Sequence, residues 1–352
     1  MTKGLAAVAA TEIGSIAPPA LIDDGDDRFL IVERLSPKGF ERLEQQARII
    51  DDLRLLVVPP TRCTSQETFA GLCEQAATTI QELLDQEHGD RQGALWSVTL
   101  SARNPWWRED PSWEPTPVIA KHLRGADTEA QVRHPVDVRI QVDSNLVHFS
   151  LNVRSRPLGK RPNEPTVTRT GALRPTVAAA MVRLALVRTS SGIASQGVYD
   201  PFCGSGTILA EALALDLPVF GSDIDSEAVG LTRQRLMRLR PTAATKSADD
   251  WTHRIFVHDV MKAGFPSRVT AKLVVANLPW GKQIKLERRT ELFDATAALI
   301  ASIVAQGGAC ALLTTQEAQL VARIRKGLKN PQCDVQKIGL LGQTPAIVLV
   351  SK

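Results

Sequence analysis

The tightest cluster of residues suited to chemistry is Val198-Tyr199-Asp200-Pro201-Phe202-Cys203-Gly204-Ser205-Gly206-Thr207, a strand-like run that breaks at two glycines before a helical pattern. Glycine lets the backbone turn sharply and approach a ligand with no Cβ in the way. Gly-x-Gly alone is also an ordinary turn, and a nicotinamide site would look much the same. The carboxylates that follow sharpen it. Asp223 lies 19 residues after Gly204, at the end of the strand-like PVFGSDI, where it can accept hydrogen bonds from both ribose hydroxyls. Asp259 ends the next such run, IFVHDV, and can meet an adenine amino group. Taken singly, an aspartate is a cap or a turn residue. Three of them at successive strand ends behind a glycine turn point to a nucleoside-type cofactor.

The fourth run, KLVVANL, leads into Asn277-Leu278-Pro279-Trp280-Gly281. With the glycine turn, this resembles the class I, Rossmann-like S-adenosylmethionine methyltransferases that act on exocyclic amines, which carry Asn/Asp-x-Pro-aromatic at this place. A plain dinucleotide dehydrogenase does not, so the resemblance turns the reading away from an oxidoreductase. It implies S-adenosylmethionine as cofactor, held by Asp200, Phe202, Cys203, Gly204, Gly206 and Thr207 of the turn. Asp223 with Ile224, Asp259 with Val260, and Asn277 would complete that set. Catalysis would fall to Asn277, Leu278, Pro279 and Trp280. An exocyclic amine is a poor nucleophile because its lone pair is spread into the ring. The Asn277 side-chain oxygen and the Leu278 carbonyl would accept its two hydrogens and draw the nitrogen toward tetrahedral geometry. Pro279 stiffens the loop, and Trp280 offers a face for a base swung out of its stack. Cys203 reads as a small packing residue, and no metal is expected.

The elements that must position these residues follow from hydrophobic period. Beyond residue 171 the pattern runs helix 176–188 capped by Thr176, strand QGVYD, helix 207–215, strand PVFGSDI, helix 226–239, strand IFVHDV, strand KLVVANL, helix 287–305, strand ACALLTT and helix 315–328. Strands 334–341 and 345–351 close the chain. Strands alternating with helices predict a mostly parallel seven-stranded α/β sheet with an antiparallel edge. Upstream, Leu5–Ile13 is apolar-periodic, FLIVERL reads as a strand, and a helix starts on Ser36. A strand at 53–59 should stop at Pro59-Pro60. A long amphipathic helix spans 64–87, a strand covers 95–100, and VDVRIQVDSNLVHFSLNV is a hairpin turning at Asp143-Ser144-Asn145. No internal repeat or low-complexity tract appears.

Length predicts two or three domains. A composition of 43% hydrophobic and 23% charged residues excludes wholesale disorder. No run approaches the ~18 apolar residues of a membrane span. The first residues lack the apolar core of a secretory signal, so a cytoplasmic chain is expected. Five cysteines with no CxxC pair argue against a disulfide scaffold or a structural zinc. Charge is divided: residues 1–150 carry 15 Lys and Arg against 23 Asp and Glu, a net of −8, while residues 151–352 carry 27 against 15, a net of +12. The densest basic run is Arg154, Arg156, Lys160, Arg161, Arg169, Arg174, Arg183 and Arg188, either a solubilising surface or a phosphate-tracking stripe.

The hairpin, then Pro157-Leu158-Gly159-Lys160-Arg161, then Ala172-Leu173-Arg174-Pro175-Thr176-Val177, is similar to the joint between THUMP and methyltransferase domains in THUMP-type RNA guanine-N2 methyltransferases. The opening segment resembles the ferredoxin-like domain before THUMP. The resemblance divides the chain into a ferredoxin-like domain (1–62), a THUMP RNA-binding domain (63–155), a basic linker (156–171) and the methyltransferase (172–352). It implies an enzyme acting on guanine N2 in tRNA, as a monomer with no membrane partner. Ribosomal RNA guanine-N2, DNA adenine-N6 and a non-catalytic RNA-binding module remain alternatives. RNA contacts are expected at Arg103, Arg108 and Lys121, interleaved with Trp106 and Trp107. A rail of Arg154, Arg156, Lys160 and Arg161 and a second of Lys282, Arg288 and Arg289 would flank the active site. The net acidity of the first 150 residues is unexpected for a surface that grips RNA.

Overall fold

A computed structural model of the chain describes residues 1–18, 21–26, 28–88, 96–109, 113–123, 126–127, 136–152, 158–161, 171–189, 197–239, 253–263, 266, 269, 271–279, 286–304 and 307–352. It contains two compact units, residues 1–52 with 158–352 and residues 53–157.

The chain opens with α1 (Ala6–Ile16), the antiparallel pair β1 (Leu21–Asp26) and β2 (Phe29–Glu33), and α2 (Pro37–Gln46). Ser36 caps α2 as expected, its Oγ accepting the Gly39 amide at 3.0 Å. The β1 partner of FLIVERL was not anticipated, because Leu21–Asp26 is mostly polar.

The second unit holds β3 (Leu55–Arg62), α3 (Gln66–His88), β4 (Trp96–Arg103), α4 (Pro115–His122), β5 (Ala126–Asp127), β6 (Val136–Asp143) and β7 (Leu146–Asn152). Its sheet runs β3-β7-β6-β4-β5, and the β6–β7 hairpin turns at Ser144-Asn145. Two expectations fail here. Strand β3 passes through Pro59-Pro60, because it is an edge strand whose register shifts between Leu56 and Val58 and between Val58 and Thr61. Since β3 pairs with β7, it belongs to the second unit, and residues 1–52 group with residues 158–352. Phe69, Trp107 and Trp113 are buried in this unit's core, with Trp106 stacked on Trp113 at 4.9 Å. The indoles therefore fill the interior of the unit instead of presenting a stacking surface for bases.

The rest of the chain forms α5 (Pro175–Leu186), β8 (Val198–Asp200), α6 (Thr207–Leu213), β9 (Val219–Asp223), α7 (Ser226–Leu239), β10 (Ile255–Val257), α8 (Val260–Ala263), β11 (Leu273–Asn277), α9 (Leu286–Val304), β12 (Ala309–Thr314), α10 (Glu317–Gly327), β13 (Gln332–Lys337) and β14 (Ala346–Ser351). The sheet order is β10-β9-β8-β11-β12-β14-β13, parallel except for β14 against its neighbours. This is the Rossmann-like arrangement that the alternating pattern predicts. Every residue of β12 and β14 is buried, as a sheet covered on both faces requires. Phe293, Ile300 and Ile303 of α9 and Leu320 and Ile324 of α10 share one core cluster with Val274, Leu312 and Val348. The chain builds outward from β8 through β9 to β10, then returns to β11 on the other side. That reversal leaves a crevice at the carboxyl ends of β8 and β11.

Residues 48–51 join several parts of this unit. Glu211 of α6, 2% exposed, takes two guanidinium groups: Arg48 Nε at 2.6 Å and Arg161 Nε at 2.9 Å. Arg161 also donates to the Leu158 carbonyl at 2.6 Å and to the Arg48 carbonyl at 2.5 Å. This corrects the expectation that Arg161 contacts RNA, because its donors are spent on a buried carboxylate and on the backbone. Thr176 does not cap α5, whose N-cap is Arg174 with a proline in the first turn; its hydroxyl donates to Asp51 at 3.0 Å. Glu12 of α1 accepts the Arg48 and Ile49 amides at 3.0 and 2.8 Å and lies 3.0 Å from Arg183.

Removing one member of a buried charged cluster leaves the others uncompensated. Glu211→Ala should therefore lower stability by about 3 kcal/mol or more. Arg103→Ala breaks a pair with Asp143 whose arginine is 47% exposed, and should lower stability by less than about 1 kcal/mol. Urea unfolding of the two variants checks the contrast.

Candidate active site

A cavity of about 820 Å³ opens at the crevice between β8 and β11. The residues expected to act together converge on it. Asp200, Phe202, Cys203, Gly204 and Thr207 line one side, Asp223 and Ile224 the next, then Asp259 and Val260, and finally Asn277 and Pro279. Gly206 stands just behind the turn. Leu278 is fully buried, and its amide donates to the Leu313 carbonyl of β12 at 3.0 Å, which anchors the turn after β11. Trp280, Lys282, Arg154 and Arg156 lie outside the described residues. Arg288 and Arg289 fall in the first turn of α9.

The glycine turn is held from three directions. Gly204 has φ 53° and Gly206 φ 79°, backbone that favours glycine. A Cβ at Gly206 would meet Thr232 of α7 at 3.0 Å, so glycine there also makes room for the helix behind. The Cys203 amide donates to the Ser222 carbonyl at 2.9 Å and the Gly206 amide to the Cys203 carbonyl at 2.7 Å. From α7, the Thr232 hydroxyl donates to the Gly204 carbonyl at 2.8 Å. Arg235 donates to the Ser205 carbonyl at 3.1 Å and to Thr207 Oγ1 at 2.8 Å.

Each carboxylate has a distinct setting. Asp223 accepts the Gly204 amide on one oxygen at 2.9 Å and the Asp225 amide on the other at 3.0 Å, which ties the end of β9 to the turn. Asp259 is not the last residue of a strand, as expected. β10 stops at Val257, and Asp259 sits in the turn before α8, accepting the Met261 amide at 3.0 Å. Its second oxygen is buried with no hydrogen bond, 3.7 Å from exposed Lys262. Asp200, 2% exposed, accepts the Phe202 amide at 3.0 Å. Burial pushes its carboxyl well above the ordinary range, and nearby Asp223 adds to this. Burial likewise raises the Cys203 thiol well above its usual value, so it is no ready nucleophile.

These features suit a nucleoside cofactor. The orphan oxygen of Asp259 can accept an amino group, Asp223 faces the cavity, and Ile224, 60% exposed, offers an apolar wall. Motif spacing missed several lining residues: Gly171, Ala172 and Leu173 from the start of this half, Ser205 within the turn, His258 beside Asp259, and Leu292 of α9. Thr232 and Arg235 were also missed. In the sequence they are polar positions of an amphipathic helix, and only the fold turns them toward the glycines. Among the described residues no cluster suits a metal ion, and no helix is long and apolar enough to cross a membrane.

The raised Asp200 carboxyl keeps a proton that the unfolded chain releases. Folded-state stability should then fall as pH rises above the ordinary value of 3.8 toward the raised one. Asp200→Asn should flatten that fall. Melting temperatures of both proteins from pH 5 to 8, without added ligand, test this, and parallel curves would show that Asp200 holds no such proton.

Comparison with known proteins agrees with this geometry. The curated tRNA (guanine(6)-N2)-methyltransferase of Thermus thermophilus is 30% identical over 228 residues, 62% of this chain and 61% of that protein. The chain thus matches less than two thirds of this relative's length. A tRNA (guanine(10)-N2)-dimethyltransferase of Methanothermobacter thermautotrophicus is 38% identical over 76 residues, 22% of this chain and 21% of its own. Among solved structures, TrmN from Thermus thermophilus superposes with a TM-score of 0.71 at 24% identity, covering 100% of this chain and 98% of that one. The family model described as UPF0020, RMKL-like methyltransferase domain, matches residues 162–340, and the chain belongs to that family.

Proposed function

We propose that this protein transfers a methyl group from S-adenosylmethionine to the N2 amine of guanine in tRNA. The observation that carries the reading is the placement of Asn277 and Pro279 on the wall of the cavity that Asp223 and Asp259 also line. When bound, S-adenosylmethionine supplies an electrophilic methyl group on a sulfonium sulfur. Asp223 would hold the ribose hydroxyls, Asp259 the adenine amine, and the 200–207 turn the remaining length. Asp223, Asp225 and Asp259, with no Lys or Arg among the cavity's described lining residues, suit a cationic ligand.

Asn277 and the Leu278 carbonyl would accept the two hydrogens of the acceptor amine. Their fixed positions would aim its lone pair, so orientation supplies much of the rate. The Leu278 amide bonded to Leu313 and the ring of Pro279 keep that turn from rotating. No strong base is required, because the nitrogen becomes acidic once it is methylated. The guanine-N2 and tRNA assignments draw support from the names of the two curated relatives. RNA would be held through phosphates by the exposed cations Arg103, Arg108 and Lys121 in the second unit and Lys160 in the first, with Arg288 and Arg289 at the start of α9 as further candidates. A THUMP-like role for residues 53–157 and a monomeric, cytoplasmic enzyme belong to the same reading.

Asp223→Ala should weaken S-adenosylhomocysteine binding at least about tenfold, since it loses a charged acceptor. Asn277→Ala should lose methyl transfer far out of proportion to any loss of that affinity. Calorimetry with a tritiated-methyl assay separates the two. Full activity in Asn277→Ala would remove the amine-polarising role.

Bulk tRNA, bulk ribosomal RNA and DNA should each be incubated with labelled cofactor, followed by nucleoside analysis. Label in N2-methylguanosine from tRNA is expected. Label in N6-methyladenine from DNA, or in ribosomal RNA alone, would replace the proposed substrate.

A further inference from the structure

We propose that Thr232 and Arg235, one turn apart on α7, are positioning residues for the cofactor: they hold the glycine turn from behind so that the Ser205 amide faces the cavity. The inference rests on the cavity being the cofactor site. Its warrant is peptide geometry. A planar trans peptide sets its carbonyl and its N–H antiparallel. The Gly204 carbonyl is drawn to Thr232 Oγ1 at 2.8 Å, so the N–H of that same peptide, carried by Ser205, points away from α7. Ser205 lines the cavity. The next peptide is fixed as well. The Ser205 carbonyl accepts Arg235 at 3.1 Å, and the Gly206 amide turns back to the Cys203 carbonyl at 2.7 Å. The Ser205 N–H is thus a donor of this turn directed at a ligand.

Helix α7 is suited to the task because it runs past the end of β9, the glycine turn and β10. Before its first turn, the Asp225 amide bonds Asp223, and Asp225 in turn accepts the Glu227 amide at 2.9 Å. Its centre holds the glycine turn. Arg233 donates to the Ile255 carbonyl of β10 at 3.0 Å, three residues before His258. Arg235 is 6% exposed, and a buried guanidinium is costly unless it is hydrogen-bonded, a cost that its bonds to the turn help to offset. Thr232 is fully buried, and its hydroxyl is the only part of the side chain that an isosteric valine lacks.

Titration calorimetry with S-adenosylhomocysteine tests the proposal on paired variants. Thr232→Val keeps the shape and removes the donor; Thr232→Ser keeps the donor and removes the methyl. Arg235→Met and Arg235→Lys form the second pair. The donorless variants should bind about tenfold more weakly, and the donor-keeping ones should stay within about threefold of the parent. If Arg235→Met fails to fold, the threonine pair still decides. Parent-like affinity in Thr232→Val, or an equal loss in Thr232→Ser, would make α7 mere packing and overturn the inference. No binding by the parent chain would overturn the cofactor reading, and this inference with it.

Discussion

The buried carboxylate of Glu211 organises the larger unit. A single glutamate on the short α6 receives Arg48 from the N-terminal segment and Arg161 from the stretch leading to α5. Both guanidinium groups also touch backbone or lie beside it, so three separate parts of the chain are locked at one point. Such a cluster resists change because loss of any member leaves charge stranded at low dielectric. It also fixes α6 at its middle, and the first residue of α6 is Thr207, the end of the glycine turn. The foundation of the site is therefore an electrostatic joint made by residues outside the site.

The site itself is assembled by backbone hydrogen bonds to short acidic side chains. Asp200, Asp223 and Asp259 each accept an amide two residues ahead or across the crevice. Those bonds occupy both oxygens of Asp223 and one oxygen each of Asp200 and Asp259. The amides stabilise the negative form, while burial opposes it, and at Asp200 burial prevails. Asp223, Asp225 and Asp259 on the same cavity are held ready for a ligand that brings positive charge.

The basic run at 154–188 shows how charge in a sequence is ambiguous until it is folded. Arg161 and Arg183 are committed to Glu211 and Glu12, and Arg188 pairs with Asp334. Those partners stand 50 to 171 residues away in the chain, so no local reading could have matched them. The tryptophans of the second unit tell the same story. Their spacing beside Arg103 and Arg108 allowed a stacking surface, and packing against Phe69 made them core.

What the sequence determined by itself were the features set by local geometry. The two-residue period of VDVRIQV and LVHFSLN, the Ser36 cap, the alternation of strands and helices, and the glycine turn followed by Asp223 were legible because neighbouring residues dictate them. Asp200, Asp223 and Asn277 were legible as pocket residues because a parallel sheet necessarily brings successive strand ends to one edge. Tertiary structure alone decided which sheet would take Leu55–Arg62, since an edge strand tolerates prolines that a central one would not. It alone turned Thr232 and Arg235 toward the turn, and placed Asp259 beyond its strand with one oxygen unbonded. These depend on contacts between segments remote in sequence, where partner identity is settled by packing and not by pattern.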